Sequence, residues 1–389
     1  MGALDEGRLR ANPDYELVLL DRLGEDERLL VGELDDDVYG VLRPRREGLE
    51  PRTASTDTAL LLLTLAQPGP LPGYVRARLG GDLEETIGRL VLDGVLELER
   101  DGGFVSGAAA AAALLPGRSA GGRGRSGDLS LAALRYGQEL GPLPESLLAL
   151  RMYLYGRRPV GPALRERWPD ENAVAGHLGI LPGGRAHAAL ARGWVEAQAG
   201  EGEGRAYWRS WHPRRLAGSR PARGGSSYKL YVSPAPDDLP RALTAIAEAL
   251  SGAAGLSGFK VGRDVHGICR PDKLVVYFDR LDDLRRAAAS LGERLDGCAP
   301  QGVPFSAPID AGGLLSWGSD PPPAPGAGPA GSWRLWIAER LAEYLARARR
   351  EGGELEPWRF ALERLGLAGV DVDTWAPRSG IWPAAGAPA

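Results

Sequence analysis

From Tyr228 to Gly297 the chain alternates between stretches of period two and stretches of period 3.6, which restricts this region to strands and helices packed in layers. YKLYVS is a strand with Lys229 and Tyr231 on one face and Leu230 and Val232 on the other. DDLPRALTAIAEALSG is an amphipathic helix opened by Asp237 or Asp238. GFKVGRD is a short strand, VHGICRP a turn and DKLVVYFD a strongly apolar strand. LDDLRRAAASLGERLDG is the second helix, and QGVPFSAPI and GLLSWGS supply a further strand and loop.

The same region holds every lysine of the chain. Of 47 lysines and arginines only Lys229, Lys260 and Lys273 are lysine. A chain this biased places arginine wherever charge alone is wanted. Arginine stays protonated, whereas lysine is a compact cation that loses its proton when desolvated. Three lysines in one segment therefore point to a site that uses lysine chemistry. The plain alternative is three surface lysines.

At 389 residues there is room for two or three domains. A formal charge of −4 argues against a general nucleic-acid or membrane-surface binder. Two cysteines, Cys269 and Cys298, make no disulfide framework, and four scattered histidines give no metal spacing. No metal and no cofactor is expected. MGALDEGRLRANPDYE lacks the apolar core of a signal peptide, and AAAAAALL is too short to span a bilayer. These features predict a cytoplasmic protein.

The overall class is α+β. Residues 1–113 open with strand-like YELVLLDRL, ERLLVGEL and DVYGVLRP joined by tight turns. TDTALLLLTLA, GYVRARLG and DLEETIGRLVLDGVL follow as helices, the last with Leu83, Ile87, Leu90 and Val91 on one face. LELERDGGFVSG closes as a hairpin at Asp101–Gly103. This order resembles the PqqD-like winged-helix recognition elements of ribosomal peptide modification systems. That resemblance implies a groove between the strand around Val38–Leu42 and the helix around Glu84–Leu92, where a leader peptide adds as a strand. A structural or a DNA-binding winged helix are the alternatives. The third helix, with one arginine and two glutamates, suits phosphate contact poorly.

Residues 114–128 read as a Gly/Arg/Ser linker and 129–222 as a helical segment, in which Tyr136, Tyr153 and Tyr155 are core residues by default. WRSWHPRRLAGSRPARGGSS reads as a basic loop leading into 223–320. PPPAPGAGPAG is a second linker, and 332–389 a helical extension with a Trp-anchored tail. Arg334 in SWRLW stands outside the assigned site.

YKLYVS, GFKVGRD, RPDKLVVYF and QGVPFSAPI together resemble the phospho-lyase domains of class III lanthionine synthetases. They resemble more closely the Hop-type effector-like lyases of class V lanthipeptide and thioamitide pathways. The resemblance implies an α+β lyase-like domain that removes phosphate from phosphoserine or phosphothreonine to leave a dehydroamino acid. Its partners would be a precursor peptide, with leader and phosphorylated core, and a separate kinase-like protein, since this chain carries no kinase motif set. The positions carried over make Lys260 the base, with Lys229, Arg263, Arg270 and Lys273 on the phosphate and Tyr277 orienting the peptide. Phosphothreonine-lyase relatives carry Lys-x-His on the first strand, where this chain has Lys229-Leu230-Tyr231. Tyr231 or His266 is then the candidate acid, unless cations alone suffice for the leaving phosphate. The other readings are a non-catalytic leader-binding scaffold and a winged-helix transcriptional regulator. Residue by residue, plainer roles also stand: an outward strand lysine at 260, a turn ion pair at Arg263–Asp264, a turn residue at His266 and an edge lysine at 273.

Overall fold

The structure, a computed structural model, describes residues 7–31, 37–46, 49–114, 124–197, 207–216, 228–321, 331–378 and 381–382. Two compact units emerge from it. The first takes the N-terminal residues to Ser119 together with Tyr344–Ala368, and the second takes Ala120–Glu343 with Gly369–Ala385.

The first unit runs β1 (Arg8–Ala11), β2 (Tyr15–Leu19), α1 (Glu25–Val31), β3 (Val38–Pro44), β4 (Arg52–Ser55), α2 (Thr56–Thr64), β5 (Gly69–Pro70), α3 (Gly73–Leu79), α4 (Leu83–Leu92), β6 (Leu96–Arg100), β7 (Gly103–Val105) and α5 (Gly107–Leu114). One sheet has the order β2-β3-β4 and the other β5-β1-β6-β7. Ser55 caps α2 by accepting from the Thr58 amide. The predicted face of α4 buries Ile87 and Val91 against Leu9, Leu61 and Leu96.

Two sequence expectations change here. ERLLVGEL is not a strand over its described part, because Glu25, Asp26 and Glu27 in the first turn favour the helix α1. The third strand is instead RTAS, so β3 lies in the middle of its sheet and β4 at its edge. Val38–Leu42 therefore offers no free edge for strand addition.

The second unit continues with α6 (Gly124–Glu139), α7 (Glu145–Tyr153), α8 (Pro162–Arg167), α9 (Glu171–His177), α10 (Arg185–Gly193), β8 (Trp194–Glu196), β9 (Trp208–Pro213), β10 (Tyr228–Val232), α11 (Leu239–Ala249), β11 (Leu256–Gly262), α12 (Val265–Ile268), β12 (Leu274–Phe278), α13 (Leu281–Arg294), β13 (Ala307–Pro308) and β14 (Leu315–Ser319). Then come α14 (Trp333–Glu351), α15 (Pro357–Leu367), which belongs to the first unit, and the short pair β15 (Val370–Asp371) and β16 (Ala376–Pro377). Helix α6 begins inside the expected linker, and residues 115–123 of that linker lie outside the described residues.

A seven-stranded sheet, β13-β14-β10-β12-β11-β9-β8, organises this unit through antiparallel pairs. The last two strands at one end, β9 and the edge strand β8, come from the segment read as helices and loop. WRSWHP forms β9 because its alternate residues meet different faces: Trp211 stacks on Phe259 in the core, 5.1 Å between centroids, while Trp208 points to the other side. Leu230, Val232, Phe259, Val261, Leu274, Val276 and Phe278 fill one face against Leu243 and Ile246 of α11 and Leu284 and Leu291 of α13. The turn after β11 is tight enough that a Cβ on Gly262 would meet the Gly267 backbone, and Asp264 caps the single-turn helix α12 through the Gly267 amide at 2.6 Å. The described part of the tail is well packed: Trp375 is fully buried beside Phe305, and Trp382 meets Trp333 and Trp336 edge to face. Among the described residues no helix is long and apolar enough to cross a membrane.

Gly318 of β14 lies under the Trp333 indole, where an added Cβ would overlap the ring. Gly318→Ala is expected to destabilise the second unit by about 1–3 kcal/mol. Urea unfolding followed by tryptophan fluorescence checks this.

Candidate active site

The sheet face opposite the helices carries the polar groups, and register brings them together. Lys229 pairs with Tyr277 and Tyr231 with Val275 across β10 and β12, and Lys260 pairs with Val275 across β11 and β12. With side chains alternating, Lys229, Tyr231, Tyr277 and Lys260 project to one side. Lys229 and Lys260 share the Tyr277 ring, their Nζ atoms 5.6 and 5.7 Å from its centroid.

Lys260 also lies over Trp208, with Nζ 4.3 Å from the ring centroid. Burial pushes its ammonium down, Lys229 and Arg270 push further, and Asp272 and Asp320 oppose them, leaving it at about 8. Lys229 instead has a carboxylate of its own, with Asp320 Oδ2 at 2.6 Å.

Beside the lysines is a buried ionic node. Asp272 receives Arg270 Nε at 2.8 Å and Nη2 at 3.0 Å, and the Tyr153 hydroxyl at 3.0 Å. Arg334 Nη1 lies 2.9 Å from the same carboxylate, off the hydrogen-bond direction. Arg334, 1% exposed, is held by the carbonyls of Pro304 and Tyr153, both at 2.8 Å. Burial alone would raise the Asp272 carboxyl, but Arg334 and Arg270 outweigh it and hold it well below the usual carboxylate range. Burial would lower the Arg270 guanidinium, and Asp272 more than restores it. Tyr231 is buried with no hydrogen-bond partner for its hydroxyl among the described residues. Burial and Asp320 push that phenol well above its ordinary value, so it remains a proton carrier at neutral pH. Burial followed by Asp320 raises Tyr277 in the same way.

Three assigned residues lie elsewhere. Lys273 is fully buried and spends its protons on Pro234 O and Gln301 Oε1, both at 2.7 Å, while Gln301 donates onward to Gly156 O and Cys269 O. It ties loops together under the site. Arg263 is engaged by Glu171 at 2.5 Å. His266 is exposed on α12, and its carbonyl accepts from Arg157 Nη2 at 3.4 Å in an exposed contact. Sequence reasoning left Trp208, Arg334, Tyr153, Asp272 and Asp320 out of the assigned site. The one usable signal was the position of Asp272 between Arg270 and Lys273.

No protein-family profile and no curated protein matches the chain. Among solved structures it is similar to an effector protein from Pseudomonas syringae pv. syringae strain 61, at 17% identity and a TM-score of 0.40, over 66% of this chain and 99% of that one. An effector from Pseudomonas syringae pv. tomato strain DC3000 aligns at 14% identity and a TM-score of 0.38, over 65% and 98%. The phosphothreonine lyase SpvC, an effector from Salmonella, aligns at 14% identity and a TM-score of 0.27, over 40% and 89%.

Lys273 gives a test of the geometry that is independent of function. Burial depresses its ammonium from 10.5 to about 7. Between about pH 7 and 10 the unfolded chain therefore binds more protons at this position, and stability rises with pH. Denaturant unfolding at pH 7 and pH 9 is expected to show that gain in the wild type and a smaller gain in Lys273→Met.

Proposed function

We propose that the second unit is a carbon–oxygen lyase that eliminates phosphate from phosphoserine or phosphothreonine in a peptide. The observation that carries this reading is Lys260: a partly buried lysine at about 8, set among further cations that a phosphate would need. With Lys260 neutral as the base, three cationic side chains (Lys229, Arg270, Arg334) gather with two carboxylates (Asp272, Asp320), leaving one positive charge to meet a phosphomonoester dianion. Neutral Lys260 takes the Cα proton, the C–H pair becomes the Cα=Cβ bond, and the Cβ–O bond breaks as phosphate departs with its electrons. Lys229 and Arg270 hold the leaving group by charge-assisted bonds. Tyr231, protonated and unpaired, can give its proton to the departing oxygen. Asp272 fixes the plane of Arg270.

The first unit extends the reading to a precursor peptide. The edge of β4 runs beside α4, and a cavity of about 380 Å³ opens there, lined by Arg52, Thr53, Thr58, Leu90, Asp93 and Val95. An extended segment pairing with β4 would gain backbone hydrogen bonds and set a side chain into that cavity. The groove thus uses β4 rather than the strand at Val38–Leu42. Dehydration of a ribosomally made, lanthipeptide-like precursor is the substrate reading consistent with both units.

A phosphoserine peptide, followed by intact mass, is expected to lose phosphoric acid with wild-type protein. The rate should fall by about 10²–10⁴-fold in Lys260→Ala. Because the base must be neutral, kcat/KM is expected to rise with pH through about 8 and then level. Full activity in Lys260→Ala would remove the base assignment, and loss with replacement by hydroxyl would make the protein a phosphatase. Thr53→Trp, which fills the β4 groove, is expected to weaken precursor-peptide binding about tenfold in fluorescence anisotropy. Unchanged binding would take the groove out of the account.

A further inference from the structure

Asp320 follows the last residue of β14 and makes two contacts that the elimination chemistry does not itself require. Its Oδ2 is 2.6 Å from Lys229 Nζ. Its Oδ1 accepts from the Trp333 amide at 3.0 Å, at the first residue of α14. The next residue is Arg334, which reaches the Asp272 node. One carboxylate therefore joins the first strand's lysine to the start of the helix that carries a site arginine. A negative charge is also favourable at a helix N-terminus, where backbone amides are unpaired.

The two lysines need this arrangement because they are otherwise alike. Both are largely buried, both sit within 6 Å of the Tyr277 centroid, and both project from the same sheet face. Two facing amines without further distinction would titrate as a coupled pair and share the roles of base and phosphate ligand. Asp320 breaks that equivalence, since it contacts Lys229 and leaves Lys260, among the described residues, with only aromatic faces within contact range.

We propose that Asp320 is a positioning residue that divides the labour between the two lysines: by neutralising Lys229 and bonding the first amide of the Arg334 helix, it commits Lys229 to holding the phosphate and leaves Lys260 to take the proton. This rests on the lyase reading for the names of the two roles, but the linkage is measurable without any reaction. The charged and titratable groups that face Lys260 are Lys229 on β10, Asp320 after β14, Arg270 and Asp272 before β12, and Tyr277 on β12. Asp320 and Asp272 favour its charged form, and Lys229 and Arg270 oppose it.

Having only three lysines makes the experiment direct. Lysine labelled with ¹³C at Cε gives three side-chain signals, assigned by single Lys→Arg variants and titrated by NMR in the full-length protein. Asp320→Asn keeps an oxygen for the Trp333 amide and removes the charge. The Lys260 midpoint is expected to fall by about one pH unit, as Lys229 then acts on it uncompensated. Lys229→Gln reads the same link from the other end: it leaves Asp320 uncompensated, so the Lys260 midpoint is expected to rise. Opposite shifts in two folded variants support the assignment. A Lys260 midpoint that stays in place in either variant, or moves the same way in both, overturns it. Should Asp320→Asn not fold, the rise in Lys229→Gln alone decides, and its absence overturns the proposal.

With phosphopeptide, Asp320→Asn is also expected to shift the rising limb of kcat/KM to lower pH while raising KM. A purely structural role would lower kcat and leave the limb in place. If wild-type protein eliminates no phosphate, the lyase reading fails while the NMR result still decides whether Asp320 sets the two lysines apart.

Discussion

The second unit depends on the burial of Asp272 between Arg270 and Arg334. A carboxylate taken out of water costs several kcal/mol unless paired and hydrogen-bonded, and a guanidinium costs as much again. Here the carboxylate meets two guanidinium groups and the Tyr153 hydroxyl, and Arg334 donates from Nε and Nη2 to the carbonyls of Pro304 and Tyr153. Four chain segments converge on that node: α7, the turn before β12, the loop before β13 and the start of α14. Removing any one partner would leave a buried charge exposed to the low-dielectric interior. That mutual dependence keeps the surrounding cations in place without a ligand.

The lysines gain their character from the same architecture. A sheet covered on one face by α11 and α13 leaves the other free to present alternating side chains, and antiparallel register aligns Lys229, Tyr277 and Lys260 across three neighbouring strands. Trp208 from β9 then covers Lys260 and removes water from it. Desolvation makes the amine willing to lose a proton, and the neighbouring positive charges that do the same are those suited to a phosphate. On the proposed reading, proton removal and leaving-group binding thus share one cause.

How far this was legible in the sequence follows from the range of the interactions. The strands around Lys229, Lys260 and Tyr277 show in the sequence because alternation is local, and so does the sharing of a face by Lys229 and Tyr231. The confinement of lysine marked the right segment. Arg334 and Tyr153 could not be read, because their roles depend on where α14 and α7 pack, and an arginine in SWRLW looks the same whether buried or solvated. Trp208 was obscured by its basic surroundings, which suggested a loop where β9 completes the sheet. Lys273 shows the limit of composition: the scarcity that singled it out does not say that its ammonium is spent on Pro234 and Gln301. In the first unit, the described part of ERLLVGEL carries strand-like residues, yet Glu25, Asp26 and Glu27 favour a helix over Glu25–Val31, and that one change moves the free edge from β3 to β4.

On the proposed lyase reading, a lysine amine removes a Cα proton while the cations beside it hold the phosphate. A phosphoserine peptide carrying deuterium at Cα, compared with its protiated twin, tests this most directly. A primary isotope effect on kcat/KM is expected, with deuterium absent from the dehydroalanine product. Equal rates with deuterium retained at Cα, and serine as the product, would contradict it.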